Sequence, residues 1–229
     1  MSESQRAKAR ELATKHIADG DPLGWFETLY AEAGDDPAIV PWVDLSPNPS
    51  LLTWLIRQET GDTGLTALVI GCGLGDDAEE LARRGFETTA FDISPTAIAW
   101  CRRRHSKSSV SYLVADLFCA PDEWIGRFDF VLESYTLQVL PPDLRRQAIR
   151  HVASFVAPNG TLLVISRGRE PWEPEGKMPW PLTRQEMAFF RDVGLEETSF
   201  GDYMDAEVPP VRRFRATYRP IGSSPVSGG

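Results

Sequence analysis

The chain has 229 residues, 42% of them hydrophobic, which suffices for one α/β core with appendages. Its 33 acidic against 24 basic residues leave a net charge of −9, which repels a phosphate backbone and argues against polynucleotide as substrate. No apolar run approaches the roughly 20 residues of a membrane span, the start from Met1 to Arg10 is too polar for a secretory signal, and the odd set Cys72, Cys101 and Cys119 suits a reduced, cytoplasmic compartment.

In chain order, Leu12 to Ala33 reads as two short helices broken at Asp21-Pro22, the second carrying Trp25, Phe26, Leu29 and Tyr30. Asn48 caps a further helix with Pro49 in its first turn. From Thr66 strand and helix alternate. Thr66 to Ile70 is a continuous apolar run, as in a strand buried on both faces. Ala78, Leu81 and Ala82 line the next helix, which Gly85 ends, and Thr88 to Phe91 forms the second strand. Ser94 caps a helix with Pro95 first, Ile98 and Cys101 facing inward, and Arg102 to Arg104 on the solvated side. Val110 to Val114 and Phe128 to Leu132 are the third and fourth strands. A helix after Pro142 buries Leu144, Ala148, Val152 and Phe155, and Pro158-Asn159-Gly160 turns the chain into a fifth strand, Thr161 to Ile165. A Pro/Trp-rich loop, Arg167 to Pro181, precedes a helix with a Thr183–Glu186 capping box, then strands near Leu195 to Phe200 and Val211 to Tyr218. Ser223 to Gly229 reads as disordered. Strands separated by helices imply a mostly parallel, doubly covered sheet. The expected division is 1–50 as a helical extension or lid, 51–220 as the main domain and 221–229 as a tail.

Gly71-Cys72-Gly73-Leu74-Gly75 lies between the first strand and its helix, where glycines let the backbone turn tightly and approach a ligand. Asp92 stands at the tip of the next strand, where a carboxylate accepts from ribose hydroxyls, with Ile93 beside it. A dinucleotide fingerprint would put its third glycine at Asp76, and Asp77 follows. Two carboxylates there repel a pyrophosphate, whereas a sulfonium cofactor without phosphate meets no such conflict.

With these residues the chain resembles the class I S-adenosylmethionine-dependent methyltransferases over about Thr66 to Ser166. The resemblance implies a Rossmann-like sandwich, a mostly parallel seven-stranded sheet with helices on both faces, and S-adenosylmethionine as cofactor. It implies that Gly71, Cys72, Gly73 and Gly75 touch the cofactor's amino-acid end, that Asp92 and Ile93 hold the ribose, and that Asp116 and Leu117 (in Val114-Ala115-Asp116-Leu117) lie at the adenine. Phe128 to Glu133 matches the motif whose end faces the reactive methyl. Many members carry an acidic residue two places before the first glycine, where this chain has Val69. Gly24-Trp25-Phe26 and Pro41-Trp42, followed by Asn48-Pro49, resemble the thiopurine-, tellurite- and halide-type enzymes, in which such tryptophans close over the cofactor; a helix-packing role for Trp25 stands beside that reading.

Glu133 and Tyr135 are the candidate catalytic side chains, Tyr135 to orient or deprotonate an acceptor or to pack on the cofactor. Trp172 and Trp180, in the long loop, are candidates with Tyr135 for an aromatic acceptor wall, or else fill the edge of the core. His151 reads as structural, and no His/Cys/carboxylate cluster has metal-ligand spacing. The expected function is methyl transfer to S, N or O of a small molecule, by a monomer or weak homodimer, with no nucleic-acid or membrane partner. Protein methylation, or cofactor binding without catalysis, are the alternatives.

Overall fold

The computed structural model describes residues 3–34, 36–57 and 64–222; the segment read as a disordered tail from Ser223 lies outside them. The chain gathers into two compact units, Met1–Thr63 with Gly71–Asp116, and Gly64–Ile70 with Leu117–Gly229.

The first unit opens with α1 (Glu3–Ala18) and α2 (Gly24–Ala33). Helix α1 starts well before Leu12 because its buried stripe is made of methyl groups: Ala9 and Ala13, one turn apart, are both 2% exposed. The break falls where expected. Asp21 Oδ1 accepts the Gly24 N–H at 2.9 Å, which holds the Asp21 carboxyl below its usual range, and His16 bonds both Asp21 and Thr28. Helix α3 (Pro49–Arg57) begins at Asn48, whose Oδ1 accepts the Ser50 N–H at 2.8 Å. Helix α4 (Asp76–Arg83) buries Ala78 and Leu81, and Gly85 follows it with φ 94°. Strands β2 (Glu87–Asp92) and β3 (Ser111–Val114) pair in parallel, with Asp92 opposite Val114. Between them runs α5 (Pro95–Arg104), capped by Ser94 Oγ on the Ala97 N–H at 3.0 Å. Arg102 and Arg103 are exposed, but Arg104 departs from the expected solvated run: it binds Leu74 O and both Asp76 oxygens.

In the second unit β1 (Thr66–Ile70), β4 (Phe128–Ser134) and β5 (Val156–Arg169) run parallel, with α6 (Pro142–Ser154) between the last two. A two-residue strand, β6 (Leu182–Thr183), leads into α7 (Arg184–Asp192), whose Thr183–Glu186 capping box forms as read. Then β7 (Leu195–Met204) and β8 (Arg212–Pro220) complete an antiparallel edge, β8 against β5 and β7 against β8.

Three expectations are corrected here. Pro158-Asn159-Gly160 does not precede β5 but bulges within it, between the Phe128–Val156 and Phe130–Thr161 pairs. A Cβ on Gly160 would stand 2.7 Å from Phe128 O, so only glycine fits that bulge. Strand β5 also runs on to Arg169, because β8 pairs with it up to the Arg167–Arg213 rung and Leu182 and Thr183 pair in parallel with Gly168 and Arg169. On α6 the buried stripe is Arg145, Ala148, Ile149, Val152 and Ala153, with Leu144 only half-buried. Arg145 can be buried because its guanidinium meets Glu186 and the carbonyls of Leu137 and Trp180.

Candidate active site

The glycine loop, Asp92 and the N-terminal aromatics all belong to the first unit. Cys72 N–H bonds Phe91 O at 2.9 Å, fastening the loop to the end of β2. Asp92, 6% exposed, spends one oxygen on the Gly73 N–H and the other on the Ser94 N–H, each at 3.0 Å. Burial outweighs those donors and pushes its carboxyl up to about 6. Ser94 is the helix cap, so Asp92 is not needed as one. Ile93 is half-buried next to it.

Two of the loop glycines serve different ends. Gly75 has φ 89°, and a Cβ there would meet the Tyr112 hydroxyl at 2.4 Å, so the space beside it is filled by protein. Gly73 has φ 56°, and its missing side chain faces the Tyr30 hydroxyl at 3.2 Å and the Trp42 indole at 3.9 Å. Cys101 Sγ binds Gly73 O at 3.1 Å, and a hydrogen bond to Cys101, together with burial, pushes the Cys72 thiol well up, away from the thiolate.

Trp25 is fully buried, stacks on Phe26 at 3.9 Å between centroids and meets Trp42 edge-on at 5.9 Å. Trp42, half-buried, donates its Nε1–H to the Tyr30 hydroxyl at 2.8 Å. Two residues of this region escape sequence reasoning. Tyr30 reads there as one more apolar helix position. Glu27, which the apolar pattern leaves out, accepts from Ser94 Oγ, Thr96 Oγ1 and Thr96 N–H at 2.5, 2.6 and 3.1 Å and so ties α2 to the N-terminus of α5. Those hydroxyl and backbone donors hold its carboxyl low despite burial. The one signal for it is Ser94-Pro95-Thr96, a helix start that welcomes an acid. Asp116 is half-buried at the end of this unit.

The second unit begins its last segment with Leu117, buried in a single 3₁₀ turn. Glu133 lies inside β4, which runs on to Ser134, and pairs with Ile70, the residue before Gly71. It is completely buried. Oε1 accepts the Thr136 and Leu137 N–H groups at 2.8 and 2.9 Å, while Oε2 has no partner among the described residues. Burial pushes this carboxyl up to about 7 against the two N–H donors. Tyr135 follows with φ 66°, a conformation that non-glycine residues take at a cost of about 1–3 kcal/mol, and its ring lies 4.8 Å under the Arg213 guanidinium. Arg213 is anchored by Asp205 and Glu207. Of the loop tryptophans, Trp180 is half-buried with its backbone N–H on Gln138 O at 2.7 Å, whereas Trp172 is 80% exposed and fills no core edge. His151 packs edge-on against Phe118.

Residues 67–160 match the methyltransferase domain family. The chain is similar to the 2-heptyl-1-hydroxyquinolin-4(1H)-one methyltransferase of Mycobacteroides abscessus, with 29% identity over 169 residues, 71% of this chain and 72% of that protein. It is also similar to the ubiquinone biosynthesis O-methyltransferase of Erwinia tasmaniensis, with 26% identity over 177 residues, 72% of this chain and 68% of that one. Among solved structures it resembles the N-methyltransferase NodS of Bradyrhizobium japonicum in complex with S-adenosylhomocysteine, at TM-score 0.66 and 22% identity, covering 85% of this chain and 97% of that chain. The fold is thus the Rossmann-like one, a mixed sheet of mostly parallel strands flanked by helices. Among the described residues no helix is long and apolar enough to cross a membrane.

Proposed function

Because the chain belongs to the class I S-adenosylmethionine-dependent methyltransferases, we propose that it methylates a hydroxyl oxygen on a small aromatic molecule, with Glu133 taking the proton. The observation that carries this reading is the buried carboxyl of Glu133, with one oxygen unspent and its pKa raised to about 7. An oxygen nucleophile needs help losing its proton, and a base poised near neutral pH gives the most. Both curated relatives described above have names that point the same way, to a hydroxyquinolinone and to an O-methyl product.

S-adenosylmethionine supplies a methyl group made electrophilic by its sulfonium. Gly71, Cys72, Gly73 and Gly75 are assigned to its amino-acid end, Asp92 and Ile93 to the ribose, and Asp116 and Leu117 to the adenine. The donor set fits: polar groups of Tyr30 and Trp42 stand beside Gly73, and Asp92 keeps acceptor capacity beyond its two backbone bonds. Trp25 and Trp42 exclude water from that region. Tyr135, Trp180 and the exposed Trp172 are assigned to an aromatic acceptor. The acceptor's O–H would give its proton to Glu133 Oε2, and the bond that its oxygen would form to the methyl carbon would replace the carbon–sulfur bond of the sulfonium, with S-adenosylhomocysteine as the leaving product. We place the protein in the cytoplasm, without a nucleic-acid partner, as a monomer or weak homodimer.

The test is transfer of isotope-labelled methyl from S-adenosylmethionine to a panel of hydroxylated quinolones, catechols and matched amines. Transfer to hydroxyls, lost at least about 100-fold in Glu133→Gln with S-adenosylhomocysteine binding retained, is expected. Transfer to amines alone, or a fully active Glu133→Gln, contradicts the assignment.

A further inference from the structure

The aromatic cluster around α2 holds two hydrogen-bond donors that the described protein does not accept. The Nε1–H of the fully buried Trp25 has no partner among the described residues. Tyr30 is 1% exposed, and its hydroxyl oxygen already accepts the Trp42 Nε1–H. Among the described residues no acceptor takes the Tyr30 hydroxyl hydrogen. Asp92 acts on Tyr30 through its charge and makes no hydrogen bond to it; the hydrogen bonds it accepts come from the Gly73 and Ser94 N–H groups. Buried donors left unmade are costly and rare, so these two call for an acceptor from outside the described protein.

The position of Tyr30 selects the ligand group. Its hydroxyl lies 3.2 Å from where a Cβ on Gly73 would stand, so anything that approaches the Gly73 backbone meets it. The Trp42 N–H bonded to the same oxygen polarises the hydroxyl and strengthens it as a donor. An ammonium offers only more donors, and a sulfonium is a cation that accepts none; a carboxylate is the group of that end that accepts from both kinds of donor.

We infer that the Tyr30 hydroxyl, backed by Trp42 and accompanied by the Trp25 indole N–H, binds the α-carboxylate of the cofactor's methionyl end. The inference rests on the assignment of the glycine loop to that end. It makes Tyr30 a binding residue, and it gives the N-terminal helix a part in cofactor selection rather than in packing alone.

The test is a cycle of one hydroxyl against one carboxylate. Wild-type protein and Tyr30→Phe are titrated calorimetrically with S-adenosylmethionine, with its decarboxylated form, and with 5′-deoxy-5′-methylthioadenosine, which lacks the amino-acid end. Tyr30→Phe should weaken S-adenosylmethionine about tenfold, the worth of a hydrogen bond to a charged group, and leave the other two ligands within about twofold. Equal weakening of all three ligands, or of none, overturns the inference. Wild-type protein alone gives an independent reading, should Tyr30→Phe not fold: equal affinity for S-adenosylmethionine and its decarboxylated form also overturns it. If wild-type protein binds none of the three, the cofactor assignment itself fails, and this inference with it.

Discussion

Replacing Glu133 by Gln keeps the shape of the side chain and removes its charge. Gln Oε1 can still accept the Thr136 and Leu137 N–H groups, while Nε2 takes the place of the unpartnered Oε2. The carboxyl's pKa rises from 4.5 to about 7 on folding, so the folded chain holds a proton that the unfolded chain has released in that interval. Its contribution to stability is therefore fully present below pH 4.5 and is lost as pH rises through about 7. At about 1.4 kcal/mol per pKa unit, wild-type protein should lose about 3 kcal/mol from this group between about pH 4.5 and about pH 8. The variant has no such loss. Its amide N–H₂ is left without an acceptor, which costs roughly 1–3 kcal/mol at every pH, so the slope is the readout and not the offset. Thermal melts of the two ligand-free proteins across that range should show the difference in Tm moving in the variant's favour by roughly 6–12 °C. Other titrating groups cancel in the comparison, apart from Tyr218, which burial above all, and Glu133 to a small degree, pushes up and which ionises only far above this range. A difference that stays flat with pH would refute the burial argument, and with it the poised base.

Two further perturbations follow from the first unit. Gly73→Ala forces a side chain into a left-handed position beside the Tyr30 hydroxyl; a stability loss of about 1–2 kcal/mol is expected, with S-adenosylhomocysteine binding weakened beyond that, read by melting and calorimetry on the same samples. Glu27→Ala leaves the Ser94 and Thr96 donors without their acceptor, so amide exchange across Gly24–Ala33 should speed up while exchange in β4 stays unchanged.

What the sequence made legible were features whose partners lie close along the chain. Asn48, Ser94 and the Thr183–Glu186 box bond within one turn, and each capping residue was readable from its own neighbourhood. The apolar run of β1 and the glycine loop were legible because burial on two faces and close backbone approach leave few residue choices. Asp92 could be placed at a strand tip, but not its bond to Gly73, which joins residues 19 apart. Glu27, Tyr30 and Arg145 were out of reach for a sharper version of that reason. Each is a polar group whose partners come from distant elements, and periodicity scores a charged side chain as solvated until those partners are known. The length of β5 was hidden likewise, since its last rungs, Arg167 on Arg213 and then Gly168 and Arg169 on Leu182 and Thr183, depend on partners far along the chain.

The central claim is that the glycine loop and Asp92 build a seat for an S-adenosyl group and not for a dinucleotide. Calorimetric titration of the ligand-free protein with S-adenosylhomocysteine and, separately, with NAD tests it most directly. The account predicts saturable binding of S-adenosylhomocysteine at one site per chain, weakened about 30-fold in Asp92→Ala by the loss of about 2 kcal/mol, and no measurable heat with NAD. Saturable NAD binding at comparable affinity, or an Asp92→Ala variant that folds and binds S-adenosylhomocysteine as tightly as wild type, would contradict it.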